Sequence, residues 1–156
     1  MSSQAQLNAK SGMLIRRSTG EVFEALVNPD VTTQFWFTKS SGRLEEGKTV
    51  TWTWGQFGVS ADITVTKIED NKLIQFQWPS GEEESAYRTV RLSFESKAGG
   101  TTFVQVIESE FDKNDEQLIN KIAGQTEGWA LVLSAMKAWL EYGINLNLIS
   151  DHKPNI

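Results

Sequence analysis

The residues able to do chemistry are few in this sequence, and their types narrow the options at once. There is no cysteine, and the single histidine, His152, lies in a polar C-terminal stretch shortly before Pro154. A Ser–His or Cys–His mechanism needs a base held in hydrogen-bond reach and oriented by a third group, and a terminal histidine does not offer that. The missing cysteines also remove disulfides and thiolate metal sites. Carboxylates remain. Glu82-Glu83-Glu84 is the densest acidic run and lacks the alternating oxygen-ligand spacing of a calcium loop, so it reads as a solvated turn. Glu108 and Glu110 lie two apart on a strand-like segment and share a face, which is expected to be exposed. If that face were concave, one of them would be a candidate acid–base group, with Asp62, Tyr87, Arg88 and Arg91 as the other strand-borne polar groups to consider.

The denser signal is apolar. The chain carries six Trp and eight Phe in 156 residues. Trp36, Trp52, Trp54, Phe76, Trp78, Phe103, Trp129, Leu133 and Met136 come from separate segments and form one candidate constellation. With Tyr87 as a polar anchor, they are the expected ligand-binding residues of an apolar pocket; the competing reading is ordinary core. The inventory favours binding over catalysis, with no metal and no cofactor expected. The formal net charge of −5 argues against a nucleic-acid surface. No apolar run is long enough to cross a bilayer, the first ten residues do not resemble a signal peptide, and the expected compartment is the cytosol.

The elements that would position these residues follow from periodicity and punctuation. Gly12 to Arg17 reads as a first strand. Ser18-Thr19-Gly20-Glu21 has the form of a capping box, and Val22, Phe23, Leu26 and Val27 follow at helical spacing. Asn28-Pro29 ends that helix, and Asp30 is a candidate cap for a second short one ending near Trp36 or Phe37. From Arg43 to Phe111 the period is two, with turn signals between the runs, as in an antiparallel meander. Asn114, with Gln117, is the expected cap of a long amphipathic helix bearing Ile119, Ile122, Trp129, Val132, Leu133, Met136 and Leu140 and running to about Leu148. Gly124 and Gly128 inside it each cost ~1 kcal/mol relative to Ala, a cost that wants a reason: close approach of the sheet, a kink, or room for a ligand. The tail from Ser150 reads as frayed. The whole is one α+β domain, a curved sheet of six to seven strands wrapped around a long helix.

Particular residues also carry a resemblance. The segment Thr19-Gly20-Glu21-Val22-Phe23-Glu24-Ala25-Leu26-Val27-Asn28-Pro29, the following Trp36, and Gly128-Trp129 with Leu133 and Leu140 downstream resemble the helix-grip fold of the START and birch-pollen-allergen (SRPBCC) superfamily. The likeness is nearest to the branch named for the activator of heat-shock protein 90 ATPase and covers about residues 12 to 149. It implies the helix-grip architecture. It also implies one of several roles: a carrier of a small hydrophobic or amphipathic ligand, a chaperone-associated domain, a cyclase- or lyase-like enzyme, or a stress-associated protein. Dimerisation through the helix-end surface, or through the sheet edge near Trp54 and Phe57, stays open as a partner option.

Overall fold

The computed structural model describes residues 7–81 and 86–154. The element order is β1 (Ala9–Ile15), α1 (Thr19–Val27), α2 (Pro29–Thr32), β2 (Lys39–Ser40), β3 (Thr49–Trp54), β4 (Val59–Glu69), β5 (Leu73–Pro79), β6 (Tyr87–Lys97), β7 (Thr101–Ser109), α3 (Leu118–Tyr142) and α4 (Leu148–Asp151). The seven strands form one antiparallel sheet in the order β1-β7-β6-β5-β4-β3-β2. This is the expected helix-grip arrangement. Period-two patterning sets its faces: Val50 and Trp52, Ile63 and Val65, Ile74 and Phe76, Val90 and Leu92, and Val104 and Val106 are all buried on one side. A register shift between Val65 and Lys67 interrupts the β4–β5 ladder there, a local irregularity of the kind that bends a strand and strengthens its twist.

Local chemistry sets the helix starts. Ser18 Oγ accepts from the Glu21 N–H at 3.3 Å, which is half of the expected capping box; the Glu21 carboxylate accepts from the Ser18 hydroxyl rather than its N–H. The second helix is shorter than expected. Its cap is Asn28, whose Oδ1 accepts from the Asp30 N–H at 3.0 Å, so Asp30 is the capped residue and not the cap.

The long helix is also shorter than its sequence pattern suggests. It starts at Leu118, and Asn114 lies in a preceding turn, where its N–H donates to Asp112 Oδ1. It ends at Tyr142 because Gly143 adopts φ 64°, a left-handed C-cap that a residue with a Cβ resists. The chain then returns as α4. Ile149 is buried in the core and the His152 ring lies against the Ile149 carbonyl, so the segment from Ser150 to His152, expected to fray, is ordered against the core. Ile119, expected on the apolar stripe, is 82% exposed, and the buried residues of α3 begin only at Trp129.

α3 runs beside β1 in the same direction and is tied to it by polar contacts. Ser11 Oγ donates to Thr126 O (3.0 Å), Lys137 Nζ to Leu14 O (2.8 Å), the Arg16 N–H to Glu141 Oε2 (2.8 Å) and Arg17 Nε to Leu140 O (2.9 Å). Among the strands, its backbone approaches β1 most closely and then β7. The far side of the sheet, β3 to β5, is reached only by large side chains. Among the described residues no helix is long and apolar enough to cross a membrane.

Glu141 is the most enclosed part of this docking seam. Burial opposes its charge, yet Lys137 Nζ at 2.7 Å and the Arg16 N–H outweigh burial and hold the carboxyl below its ordinary value. A depressed folded-state pKa stabilises the fold above the unfolded value and loses that stability as pH falls through the folded value. Glu141→Gln is therefore expected to lower stability by ~1–2 kcal/mol near neutral pH. The gap from wild type should close below roughly pH 4, near and under the ordinary glutamate pKa. Thermal melts of both proteins across pH check this; a gap that persists in acid rules the charge out as its source.

Candidate functional site

The aromatic side chains from β3, β5, the α2–β2 loop and α3 meet as one cluster. Trp36 sits at its centre, edge-on to Trp52 (ring centroids 5.0 Å), Trp129 (5.3 Å) and Trp54 (6.1 Å). Phe37 stacks on Trp52 at 4.5 Å, and Trp78 stacks on Trp129 at 5.5 Å with the planes 26° apart. Offset stacking and edge-on packing both suit the ring quadrupole, so the cluster is a rigid wall.

Above this wall lies a cleft of about 250 Å³, lined by Trp36, Trp54, Trp78, Trp129, Val132 and Ile149, with Gln125, Gly128 and His152 at its polar and open margins. Phe57 and Val59, 39% and 51% exposed, form its mouth, so the space opens to solvent rather than being sealed. The cluster thus has two layers. Trp52, Phe76, Leu133 and Met136 lie beneath as solid core, at most 2% exposed. Trp36, Trp54, Trp78 and Trp129 face the space.

Two of the expected ligand-binding residues stand elsewhere. Tyr87, at the start of β6, is 49% exposed and takes no part in the cleft. Phe103 has the opposite parity from Thr102 and Val104, so it lies on the other face of the sheet, paired with Leu14 of β1 and with its ring reaching over Gly12. A Cβ built on Gly12 would come within 2.5 Å of the Phe103 ring. The two helix glycines are explained by space rather than by close approach: nothing lies within 4 Å of a Cβ built at Gly124 or Gly128, and Gly128 lines the cleft.

Behind the wall stands a buried carboxylate. Glu108 is fully inaccessible, contrary to the exposed face expected of it. Trp129 Nε1 and Gln125 Nε2 each donate to its Oε1 at 2.8 Å. Trp78 Nε1 donates to Oε2 at 3.1 Å, and Arg88 Nη1 approaches Oε2 at 3.5 Å. Arg88 is itself buried, with its guanidinium 4.2 Å from the centre of the Phe111 ring. Both indole N–H groups point at the carboxylate, so Glu108 fixes the two indoles that form the cleft wall.

Its former partner in the sequence pattern, Glu110, takes φ 70° just past the end of β7. It turns outward to accept from Thr89 Oγ1 at 2.5 Å. Asp62 is exposed and accepts from Thr51 Oγ1 at 2.8 Å, on the far side of the sheet. Only Glu108 and Arg88 of the strand-borne charged candidates stand near the cleft, and they are engaged with each other. Glu82, Glu83 and Glu84 lie outside the described residues, among which no group of His, Cys, Asp or Glu is arranged to hold a metal ion.

The signal for Glu108 was present in the strand parity. Counting in twos from Thr102, Val104 and Val106 places position 108 on the covered face. His152 carried no such signal. Its Nδ1 lies 2.7 Å from Ile149 O, and its ring meets Phe57 edge-on at the cleft mouth, which depends on the return of α4.

Removing the Glu108 carboxylate leaves the Trp78, Gln125 and Trp129 N–H groups without their acceptor and takes one buried charge partner from Arg88. Glu108→Leu should cost about 3–5 kcal/mol, the scale for breaking a buried ion pair by removing one member. Urea unfolding measures this; a loss under ~1 kcal/mol, the exposed-pair range, means the cluster does not fix the wall.

Comparison with known proteins agrees with this architecture. A protein from Staphylococcus saprophyticus, SSP2350, has a solved structure that is 33% identical, with a TM-score of 0.76 over 89% of this chain and 95% of that one. The solution structure of an Aha1 dimer from Colwellia psychrerythraea is 25% identical, with a TM-score of 0.74 over 87% of this chain and 97% of that one. DynU16, described as a putative protein of the dynemicin biosynthetic locus, shares the fold at 21% identity and a TM-score of 0.76, over 89% of this chain and 49% of that one. No curated protein matches the chain. The family model described as Activator of Hsp90 ATPase homolog 1-like protein matches residues 16–141, and the chain belongs to that family.

Proposed function

We propose that this protein binds a small, largely apolar molecule in the cleft between α3 and the sheet. The observation that carries this reading is the layering of the aromatic cluster: a filled core of Trp52, Phe76, Leu133 and Met136 lies beneath a second shelf of four tryptophans facing open space. A core needs only the first layer. Apolar walls with a few polar groups are what a small-molecule site requires.

The helix sequence points the same way. Gly128 gives up helix stability at a position with no steric demand for glycine, and the space left by its missing side chain belongs to the cleft. Catalysis is the weaker reading. The buried carboxylate of Glu108 already accepts from two indoles and an amide and pairs with a guanidinium, so its oxygens are engaged behind the wall rather than presented to a bound molecule.

Nile red, a neutral dye sensitive to its surroundings, tests the reading directly. Saturable binding should brighten the dye and quench tryptophan emission. Gly128→Ala should raise stability by ~1 kcal/mol, because the helix gains and nothing clashes. Gly128→Leu should keep the fold, as judged by circular dichroism and melting, while abolishing dye binding by filling the mouth. Equal dye binding by wild type and Gly128→Leu would place any site elsewhere and end the proposal.

A further inference from the structure

The ligand class can be narrowed by asking which hydrogen-bonding groups the cleft has left to offer. This step rests on the binding role proposed above. Two of the four tryptophans, Trp78 and Trp129, have their N–H groups committed to Glu108. Gln125 also donates to Glu108, at 2.8 Å. A carboxylate paired with a guanidinium and ringed by indole N–H donors accepts, so the Gln125 amide is oriented with its nitrogen inward. Its carbonyl oxygen is then the atom left over, and no described group donates to it. Gln125 lines the cleft. The same logic applies to His152. Its Nδ1 lies 2.7 Å from the Ile149 carbonyl and 3.2 Å from the Leu148 carbonyl, both of which only accept, so Nδ1 carries the hydrogen and Nε2 of the neutral ring is an acceptor. Both polar side chains other than tryptophan on the cleft wall therefore present acceptors, and the indole N–H groups of Trp36 and Trp54, which donate to no described group, are the donors beside them.

Charge sharpens the selection. No lysine or arginine lines this cleft, and the formal negative charge of Glu108 stands directly behind its wall. An anionic ligand group would meet no cation there, and desolvating it without a partner is costly.

We infer that Gln125, oriented by Glu108, is a specificity residue, and that the ligand is a neutral ring compound carrying a hydroxyl or N–H donor rather than a fatty acid or another carboxylate. The donor meets Gln125 Oε1 while the ring lies against the indoles. A ligand hydroxyl has the further advantage of accepting as well as donating.

Four matched probes separate the possibilities: naphthalene, 2-naphthol, 2-methoxynaphthalene and 2-naphthoate. Binding is followed through the indole N–H resonances of the intact protein by NMR. The naphthol should bind about 3–10-fold more tightly than naphthalene, the value of one neutral hydrogen bond. The methyl ether, an acceptor without a donor for Gln125 Oε1, should bind less tightly than the naphthol, and the naphthoate should bind worst. Gln125→Met, of similar length but with no acceptor, should bring naphthol and naphthalene to parity. If the methyl ether or the naphthoate equals the naphthol in wild type, the inference is overturned without recourse to any variant. Naphthalene binding with no preference for naphthol overturns it too and leaves the apolar cleft standing. Failure of all four to bind removes the cleft reading and this inference together.

Discussion

A carboxylate with no access to water is the constraint around which this molecule is arranged. Glu108 can stay buried only if its oxygens are met by donors, and the fold brings four of them from three elements: Trp78 on β5, Arg88 on β6, and Gln125 and Trp129 on α3. Burying a charge costs several kcal/mol unless it is paired and hydrogen-bonded. The sheet and the helix must therefore stand in one particular relation to each other at this point. An apolar contact between α3 and β7 would tolerate sliding; a four-donor cluster does not.

That relation explains the shape of the space beside it. α3 is held along β1 by hydrogen bonds spread from Ser11 to Arg17, and it approaches the other margin of the sheet only through side chains. The distance between helix and sheet grows toward β3 and β4, and a wedge must be filled. Aromatic rings are the largest filling available. Phe37, Trp52 and Phe76 close the deep part, and the upper row stands at the edge of what filling can reach. The cleft follows from one-sided docking of the helix on a curved sheet.

Much of this was legible in the sequence, for reasons that can be traced residue by residue. Strand parity from Val50 to Phe94 gave the covered face because one side of the sheet is wet. Ser18 announced α1 because a hydroxyl before an apolar helical pattern satisfies a free N–H. What could not be read came from contacts made across the fold. The helical pattern continues past Tyr142 in composition, but Gly143 sits left-handed, and only the packing of Ile149 shows that the chain turns back. Phe103 looked like a wall residue because it is aromatic and on a strand, yet its parity with Gly12 places it on the other face. Glu108 was judged by its charge. The general rule that glutamate is exposed was outweighed by two indole N–H groups that themselves needed acceptors once buried.

The two layers of the cluster carry different burdens, and this bears on how such a protein can change. The lower layer shares its residues with the sheet face, so substitutions there open cavities and cost stability directly. The upper row is bounded by Gly128, by the mouth residues Phe57 and Val59, and by the short return of α4; of these only Val59 belongs to the sheet, at the first position of β4. Side chains at those positions can change the size and polarity of the space while the Glu108 cluster keeps its two indoles in place. A fold built this way separates the residues that determine whether it stands from those that shape the cleft, because the N–H groups of Trp78 and Trp129 point inward to the buried charge while their rings border the open space.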